Sequence, residues 1–324
     1  MATSDRAWPP VRLQVVDPQR FVVYGVFVVV FVFFAATLHD DGFLTQTNLL
    51  NIVRQTTPIT IMAVGVVFVL SAGEIDLSLG AVVALSALVT ADLLQDHSAV
   101  LAVGAGLAVG VAVGVANGLF VTALVLPSFL VTFASLAVVT GLARSVTDLR
   151  SVAVENRDFA AIFGSGDVGP VPGLAFWALG ATAVGHFLLR YSRFGAHVLA
   201  IGDNAQAARA TGIRVDRVRL LVFVLSATSA AVAGILYAGR LQGASYTLGE
   251  QDLLTVIAAV VIGGTRLFGG EGSVIGALVG SLLMGVLTNG LILWGFSASE
   301  QLIAQGALLL VAISLTLRGQ RAEG

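Results

Sequence analysis

The chain contains no cysteine and no lysine, and only 11% of its 324 residues are charged. Without cysteine it can form no disulfide, no thiolate metal site and no cysteine nucleophile. Without lysine it cannot build a G-x-x-x-x-G-K-[ST] phosphate loop, and neither H-E-x-x-H nor G-x-S-x-G occurs. The four histidines are scattered singly. The sequence therefore predicts no catalytic residue, no metal site and no cofactor bound by this chain.

What remains is strongly apolar. Hydrophobic residues make up 57% of the chain, and its mean hydropathy is +0.94. These values exclude a soluble domain of this length and indicate an integral membrane protein built from α-helices. The net charge of −2 indicates no nucleic-acid surface.

We predict about ten transmembrane helices in one membrane domain over residues 21 to 317, between tails at 1 to 20 and 318 to 324. The predicted segments are 21 to 38, 58 to 72, 79 to 94, 99 to 122, 128 to 143, 173 to 190, 218 to 238, 251 to 263, 273 to 293 and 300 to 317. The first segment lacks a small-residue cleavage site, so we interpret it as an anchor. Segment 58 to 72 is short for a bilayer and is expected to extend into residues 47 to 57.

The arginines predict the orientation of these segments. An even number of segments places both termini on one side, and cytoplasmic loops retain positive charge. With the termini inside, twelve of the seventeen arginines lie on the cytoplasmic side and five lie opposite. Both tails are therefore predicted to be cytoplasmic.

Six of these arginines lie between Arg190 and Arg219, around a short segment from Asp203 to Gly212 that we call the docking helix. An Asp/Asn pair supplies its N-cap, alanines favour the helix, and Gly212 suits a left-handed C-cap. We expect this helix, within a cytoplasmic loop at 191 to 217, to bind another protein. The predicted docking residues are Gly202, Asp203, Asn204, Ala208, Arg209 and Gly212.

Charged residues inside the membrane domain are rare and therefore informative. Glu74 and Asp76 precede Ser78 in the stretch Gly-Glu-Ile-Asp-Leu-Ser-Leu-Gly at 73 to 80. One interpretation is a tight turn in which Asp76 or Ser78 caps the next helix by accepting backbone N–H groups. The other interpretation is a gate or an ion site.

Polar residues near helix ends are the candidates for a translocation path. Asn117 and Asn289 could hydrogen-bond a hydroxylated solute, or they could bond between helices. Ser128, Thr132 and Ser135 form a polar face with Phe129 beside it. From these positions we select Asn117, Phe129, Thr132 and Asn289 as candidate path residues.

A weak internal repeat supports a transport fold. A shift of 172 residues superposes 99 to 142 on 271 to 314 and places Asn117 on Asn289. The two copies lie five predicted helices apart, so they would insert with opposite orientations as an inverted repeat. Glycine ladders at 106 to 118 and 272 to 280 predict close helix approach, either as a sliding face or as static packing.

Three ordered motifs resemble the ribose-type permeases of bacterial ABC importers, within a superfamily that also includes branched-chain amino acid permeases. They are the 73 to 80 stretch, the segment 200 to 213 around the docking helix, and Val-Ile-Gly-Gly-Thr at 261 to 265 continuing to Ser273. The resemblance covers roughly residues 45 to 317. It implies that the docking helix is the coupling helix, which sits in a groove of a separate ATP-binding subunit.

The resemblance also implies the remaining partners. These are a second permease copy, a periplasmic or lipid-anchored solute-binding protein and the lipid of a bacterial inner membrane, with ATP and magnesium held by the partner subunit. The implied solute is a monosaccharide or related polyol. Where such permeases often have Gly-Gly-Ile-Asp, this chain has Gly-Glu-Ile-Asp at 73 to 76, which adds a carboxylate.

Other functions remain open from sequence. Branched-chain amino acids or nucleosides are alternative solutes for an ABC permease. An ion-coupled secondary transporter would use Glu74 and Asp76 as its ion site. A structural scaffold would need neither the inverted repeat nor an exposed docking helix.

Overall fold

A computed structural model describes residues 19 to 323, so nearly all of the predicted N-terminal tail lies outside the described residues. The longer helices are α1 (Gln19–Thr37), α2 (Gln46–Ser71), α3 (Leu79–Asp96), α4 (Ala99–Ala123), α5 (Ser128–Val146), α7 (Gly173–Tyr191), α8 (Arg193–Ala210), α9 (Val215–Leu241), α10 (Asp252–Ile262), α11 (Val274–Leu293) and α12 (Ala298–Glu323). A short helix, α6 (Arg157–Ala160), continues into a π-helical turn at Ala161–Ser165.

The predicted helical membrane protein is confirmed at this level. Each of the ten predicted segments overlaps a helix, and within the described residues seven helices are long and apolar enough to span a bilayer: α2, α3, α4, α5, α7, α9 and α11. Shorter apolar helical stretches occur at Val23–Thr37 and Asp252–Ile262. The number of ten spans stays a prediction.

Helix α2 begins earlier than its apolar core, as expected for segment 58 to 72. The side chain of Thr45 accepts a hydrogen bond from the Asn48 N–H at 3.4 Å and caps the helix. A polar first section that hydropathy does not detect therefore precedes the buried section from Thr56 to Ser71. The helix reaches the length that a bilayer requires because of this extension.

Helix α9 lies at the centre of the bundle, where it packs against α2, α3 and α4. The glycine ladder of α4 explains how closely the backbones approach. A Cβ atom at Gly110 would lie 2.6 Å from the Ala227 carbonyl oxygen, and one at Gly114 would lie 2.6 Å from the Val224 Cα atom. The predicted close approach is confirmed, and its geometry is that of helix packing.

The all-helical prediction missed two small ladders in the described part of the chain. Strand β1 (Val152–Ala153) pairs antiparallel with β4 (Gly243–Ala244), and β2 (Asp167–Val168) pairs with β3 (Val171–Pro172). Strands of two residues have no measurable alternation, so the sequence pattern cannot reveal them. The Arg54–Asp167 ion pair, at 2.8 Å, joins α2 to β2 at the same end of the bundle. We call this end the ladder end.

Candidate functional site

The docking helix forms the second part of α8. Asn204 leaves the helical conformation at φ −155° and ψ 100°, which separates the docking helix from the first part of α8. Its Oδ1 atom accepts hydrogen bonds from the Gln206 and Ala207 N–H groups, both at 3.0 Å. Gly212 follows with φ +88°, and its N–H donates to the Arg209 carbonyl at 3.1 Å. The predicted N-cap and C-cap are both confirmed.

The docking residues differ in exposure. Asp203, Asn204, Arg209 and Gly212 are exposed, and Gly202 is half-buried. Ala208 is only 5% exposed, and its side chain belongs to the core of the bundle. Its role in docking stays a prediction.

The base of the docking helix rests on two other elements. A Cβ atom at Gly202 would collide with the Ser71 carbonyl at the end of α2 and would lie 2.5 Å from the Gly270 nitrogen. Gly270 itself donates to the Ser71 carbonyl at 3.1 Å. The turn between α10 and α11, residues 263 to 273, therefore meets α2 and the docking helix at one point. This end of the bundle carries the arginine-rich segment, and we call it the arginine end.

The 73–78 segment (Gly73 to Ser78) connects α2 and α3 at the arginine end. Gly73 has φ +76°, and residues 74 to 78 have no regular secondary structure. Asp76 is 5% exposed and accepts from the Ser78 N–H at 3.0 Å and the Ser78 hydroxyl at 2.6 Å. Its other oxygen accepts from the Ser226 hydroxyl at 2.9 Å. This geometry supports the tight-turn interpretation for Asp76, which binds Ser78 just before α3, whereas the Ser78 side chain makes no cap hydrogen bond.

Glu74 has a partner that the sequence did not identify. Its Oε1 atom lies 2.7 Å from Arg219 Nε, and the two side chains are 8% and 29% exposed. The carboxylate that departs from the Gly-Gly-Ile-Asp pattern is thus neutralised by an arginine of the segment that surrounds the docking helix. Arg219 was among the six clustered arginines, but nothing in the sequence relates it to Glu74.

Three of the four candidate path residues are buried and bonded in this conformation. Asn117 is 1% exposed and donates to the Ser78 hydroxyl at 3.0 Å. Thr132 is fully buried and donates to the Ile75 carbonyl at 3.2 Å. Asn289 exchanges two hydrogen bonds with Asn48, each at 2.9 Å. For Asn289 this favours the interhelical hydrogen bond over a contact with solute, and Asn117 is bonded to the 73–78 segment. The role of the three residues in a path stays a prediction.

Phe129 differs from the other three, since its side chain is 49% exposed on α5. A cleft of about 600 Å³ lies elsewhere, between α2, α7 and α9, and contains none of the four. Its lining is dominated by apolar side chains, among them Phe68, Phe176 and Trp177. A polyol needs hydrogen-bonding groups along its path, so this cleft does not fit one.

Comparison with known proteins supplies the family. A family model described as the permease component of a branched-chain amino acid transport system matches residues 48 to 313. The chain belongs to this permease family. No solved structure matches the permease.

Several curated relatives carry names that state a solute. The permease is 38% identical to the ribose import permease protein RbsC of Bacillus subtilis, over 90% of each chain. It is 35% identical to RbsC of Escherichia coli K12, over 85% of this chain and 87% of the relative. It is also 35% identical to the L-arabinose ABC transporter permease protein AraH of Azospirillum brasilense, over 91% of this chain and 86% of the relative.

Proposed function

We propose that this permease is the membrane subunit of a bacterial ABC importer and carries a monosaccharide or related polyol. Relatives named for ribose and for arabinose align over nearly the whole chain, which favours sugars over branched-chain amino acids or nucleosides. The observation that carries the coupling to ATP is the docking helix, which is capped at both ends, exposed along one face and seated on α2 and the α10–α11 turn. The permease itself is not an enzyme, and ATP hydrolysis belongs to a partner.

The partners follow from this role. ATP-binding subunits, which hold ATP and magnesium, receive the docking helix at the arginine end. A periplasmic or lipid-anchored solute-binding protein delivers the sugar at the ladder end, and a second permease copy completes the translocation path. The arginine end then faces the cytoplasm of a bacterial inner membrane, with both termini on that side.

Alternating access follows from rigid-body motion at the docking helix. Movement of the paired ATP-binding subunits displaces a short capped helix whose base touches α2 and the α10–α11 turn.

The inverted repeat would relate α4 and α5 to α11 and α12. Asn117 bonds at the arginine end, through Ser78, and Asn289 bonds to Asn48 in the first turn of α2, away from that end, which supports opposite orientations for the two copies.

An ion-coupled carrier is the competing function, and it requires free carboxylates within the bundle. Glu74 is paired with Arg219, and Asp76 is engaged by Ser78 and Ser226. Replacing both carboxylates by amides separates the two functions. Loss of uptake driven by an ion gradient would support the carrier, and retained ATP-driven uptake would remove it.

The decisive variant of the docking helix is Arg209→Glu, because the Arg209 side chain, although paired with Asp216 at 2.7 Å, is 62% exposed and would present a reversed charge to the partner. We expect ATP-driven uptake to fall by about tenfold or more, as for a central interface residue. Native mass spectrometry of the gently solubilised complex should show fewer ATP-binding subunits on two permease copies. Membrane insertion should not change.

Arg190→Glu is the matched control, since it makes the same charge change at an exposed arginine of the same end outside the docking helix. It should retain uptake close to that of the unmodified permease. Equal uptake in Arg209→Glu and Arg190→Glu would contradict the assignment of the docking helix.

A further inference from the structure

The 73–78 segment is held by three membrane helices that do not adjoin it in sequence. The Ser128 hydroxyl of α5 accepts from the Ile75 N–H at 3.1 Å. Asn117 of α4 donates to Ser78, and Ser226 of α9 donates to Asp76. The helices α2 and α3 continue directly from its two ends. A shift of this segment would therefore displace contacts of five helices, namely α2, α3, α4, α5 and α9.

The same segment also adjoins the docking helix. A Cβ atom built on Gly73 would lie 3.9 Å from the Gly202 Cα atom and 3.7 Å from the Phe268 carbonyl. Arg219 connects the docking helix to the bundle in sequence, because it lies seven residues after Gly212 in the first turns of α9. Its contact with Glu74 is the one ion pair between the 73–78 segment and α9 among the described residues.

The geometry of this ion pair makes its two members move together. Glu74 is nearly buried, and a buried carboxylate that loses its counter-charge is strongly disfavoured. The atoms are 2.7 Å apart, but the Arg219 Nε–H makes no aligned hydrogen bond. Charge therefore holds the pair, and a displacement of α9 moves the counter-charge of the buried Glu74 carboxylate.

We infer that Glu74 and Arg219 are positioning residues that pass displacement of the docking helix to the 73–78 segment and through it to α4, α5 and α9. The inference rests on the proposed ABC importer function. Its consequence is specific: the pair sets how much solute moves for each ATP hydrolysed, and it does not set the affinity for solute.

The test uses the full complex, with its ATP-binding subunits and solute-binding protein, reconstituted in liposomes. Uptake of the transported sugar and ATP hydrolysis are measured together for Glu74→Gln, Arg219→Gln, the double variant, and the exchange of Glu74→Arg with Arg219→Glu. We expect each single variant to lower solute moved per ATP by about fivefold or more, which is the lower range of coupling between sites. The half-saturating solute concentration should not change.

The double variant should be no worse than either single variant, because each removes the same interaction. The exchange variant should recover part of the lost solute transport per ATP hydrolysed, because opposite charges face each other again. A role in folding alone would lower the yield of the complex and leave the ratio of solute to ATP unchanged. That ratio thus distinguishes positioning from stability.

Arg190→Gln is the control, since it also removes one charge at the arginine end, at an exposed residue outside the docking helix. If Glu74→Gln moves as much solute per ATP as Arg190→Gln does, or if only the half-saturating solute concentration changes, the inference is overturned. If the unmodified complex shows no ATP-driven uptake at all, the proposed function fails first. The two failures are therefore distinguishable.

Discussion

At the scale of single residues, a few polar side chains and glycines determine where the helices of this permease stop. Asn204 interrupts α8 by offering one side-chain oxygen to two backbone N–H groups. Before α3, Asp76 accepts from the Ser78 N–H and the Ser78 hydroxyl, and its other oxygen accepts from the Ser226 hydroxyl. The first break marks the start of the docking helix, and the second lies in the 73–78 segment.

The cap at Asn204 leads to a prediction for Asn204→Ala. Loss of the side-chain oxygen leaves two N–H groups of a very short helix unsatisfied, at a cost of about 1 kcal/mol. Amide hydrogen exchange at Gln206 and Ala207 should accelerate about fivefold as a result. ATP-driven uptake should fall in parallel, because a frayed helix transmits motion poorly.

Asn204→Asp provides the comparison, since a carboxylate caps a helix as well as an amide does. It should keep the slow exchange and the uptake of the unmodified permease. Rapid exchange in Asn204→Asp, or unchanged exchange in Asn204→Ala, would show that the cap is not what orders this helix.

At the scale of whole elements, small residues decide how closely the helices pack. Three glycines of the α4 ladder, Gly110, Gly114 and Gly118, lie against α9 over residues 220 to 231, whereas Gly106 faces α3. Gly280 of α11 faces the Ala259 carbonyl of α10. In a bilayer the apolar face of a helix gains little by leaving lipid, so close backbone approach supplies much of the association. The contacts of the glycine ladders therefore support static helix packing as their main role.

Gly114→Ala tests this packing with a single methyl group. The added Cβ would lie 2.6 Å from the Val224 Cα atom and 2.7 Å from the Phe223 carbonyl, both of which are backbone. Because backbone cannot rotate away, α4 and α9 must separate, at a cost of about 1–3 kcal/mol. The expected result is a lower free energy of unfolding for the detergent-solubilised permease.

Gly104→Ala controls for the loss of glycine itself. It lies on the same helix, is exposed, and a Cβ atom there meets nothing within 4 Å. Alanine is the better helix former, so its stability should be equal or slightly higher. Similar stabilities for Gly104→Ala and Gly114→Ala would contradict the packing argument.

The helices and their local caps can be predicted from the sequence, whereas contacts between distant residues cannot. Helical segments follow from hydropathy because a bilayer leaves the backbone few other ways to satisfy its hydrogen bonds. The caps of the docking helix are local, so Asn204 and Gly212 were identifiable. Pairs such as Asn48 with Asn289 join residues 241 positions apart, and only the folded bundle brings them together.

The face of a helix is harder to predict than its position when both faces are apolar or small. Ala208 lies among other alanines, so composition did not distinguish its buried side from the exposed side of Ala207. The polar face of α5 was interpreted as a path, but Ser128 and Thr132 bind the backbone of Ile75. Polar side chains inside a membrane protein form hydrogen bonds with the polar groups that lie nearest. For α5 these groups belong to the 73–78 segment.

At the scale of the whole molecule, the permease has two chemically different ends. The arginine end contains the docking helix, the 73–78 segment and the α10–α11 turn. The ladder end contains the β1–β4 pairing and the Arg54–Asp167 ion pair. The proposed function requires the first end to face ATP in the cytoplasm and the second to face the solute-binding protein.

The absence of cysteine makes this orientation directly measurable, because the unmodified permease gives no background with a thiol reagent. Glu155→Cys introduces one thiol at an exposed position of the ladder end, and Ala196→Cys introduces one at an exposed position of the arginine end. In intact spheroplasts a membrane-impermeant maleimide should label only Glu155→Cys. Ala196→Cys should become labelled once the membrane is permeabilised with detergent.

The two variants control for each other, since each thiol is exposed and only the side of the membrane differs. Labelling of Ala196→Cys but not Glu155→Cys in intact spheroplasts would invert the permease. The docking helix would then lie where no ATP-binding subunit can reach it, and the ABC importer function would be untenable. Labelling of both in intact cells would place the two ends on one side, which helices long enough to span the bilayer between them do not allow.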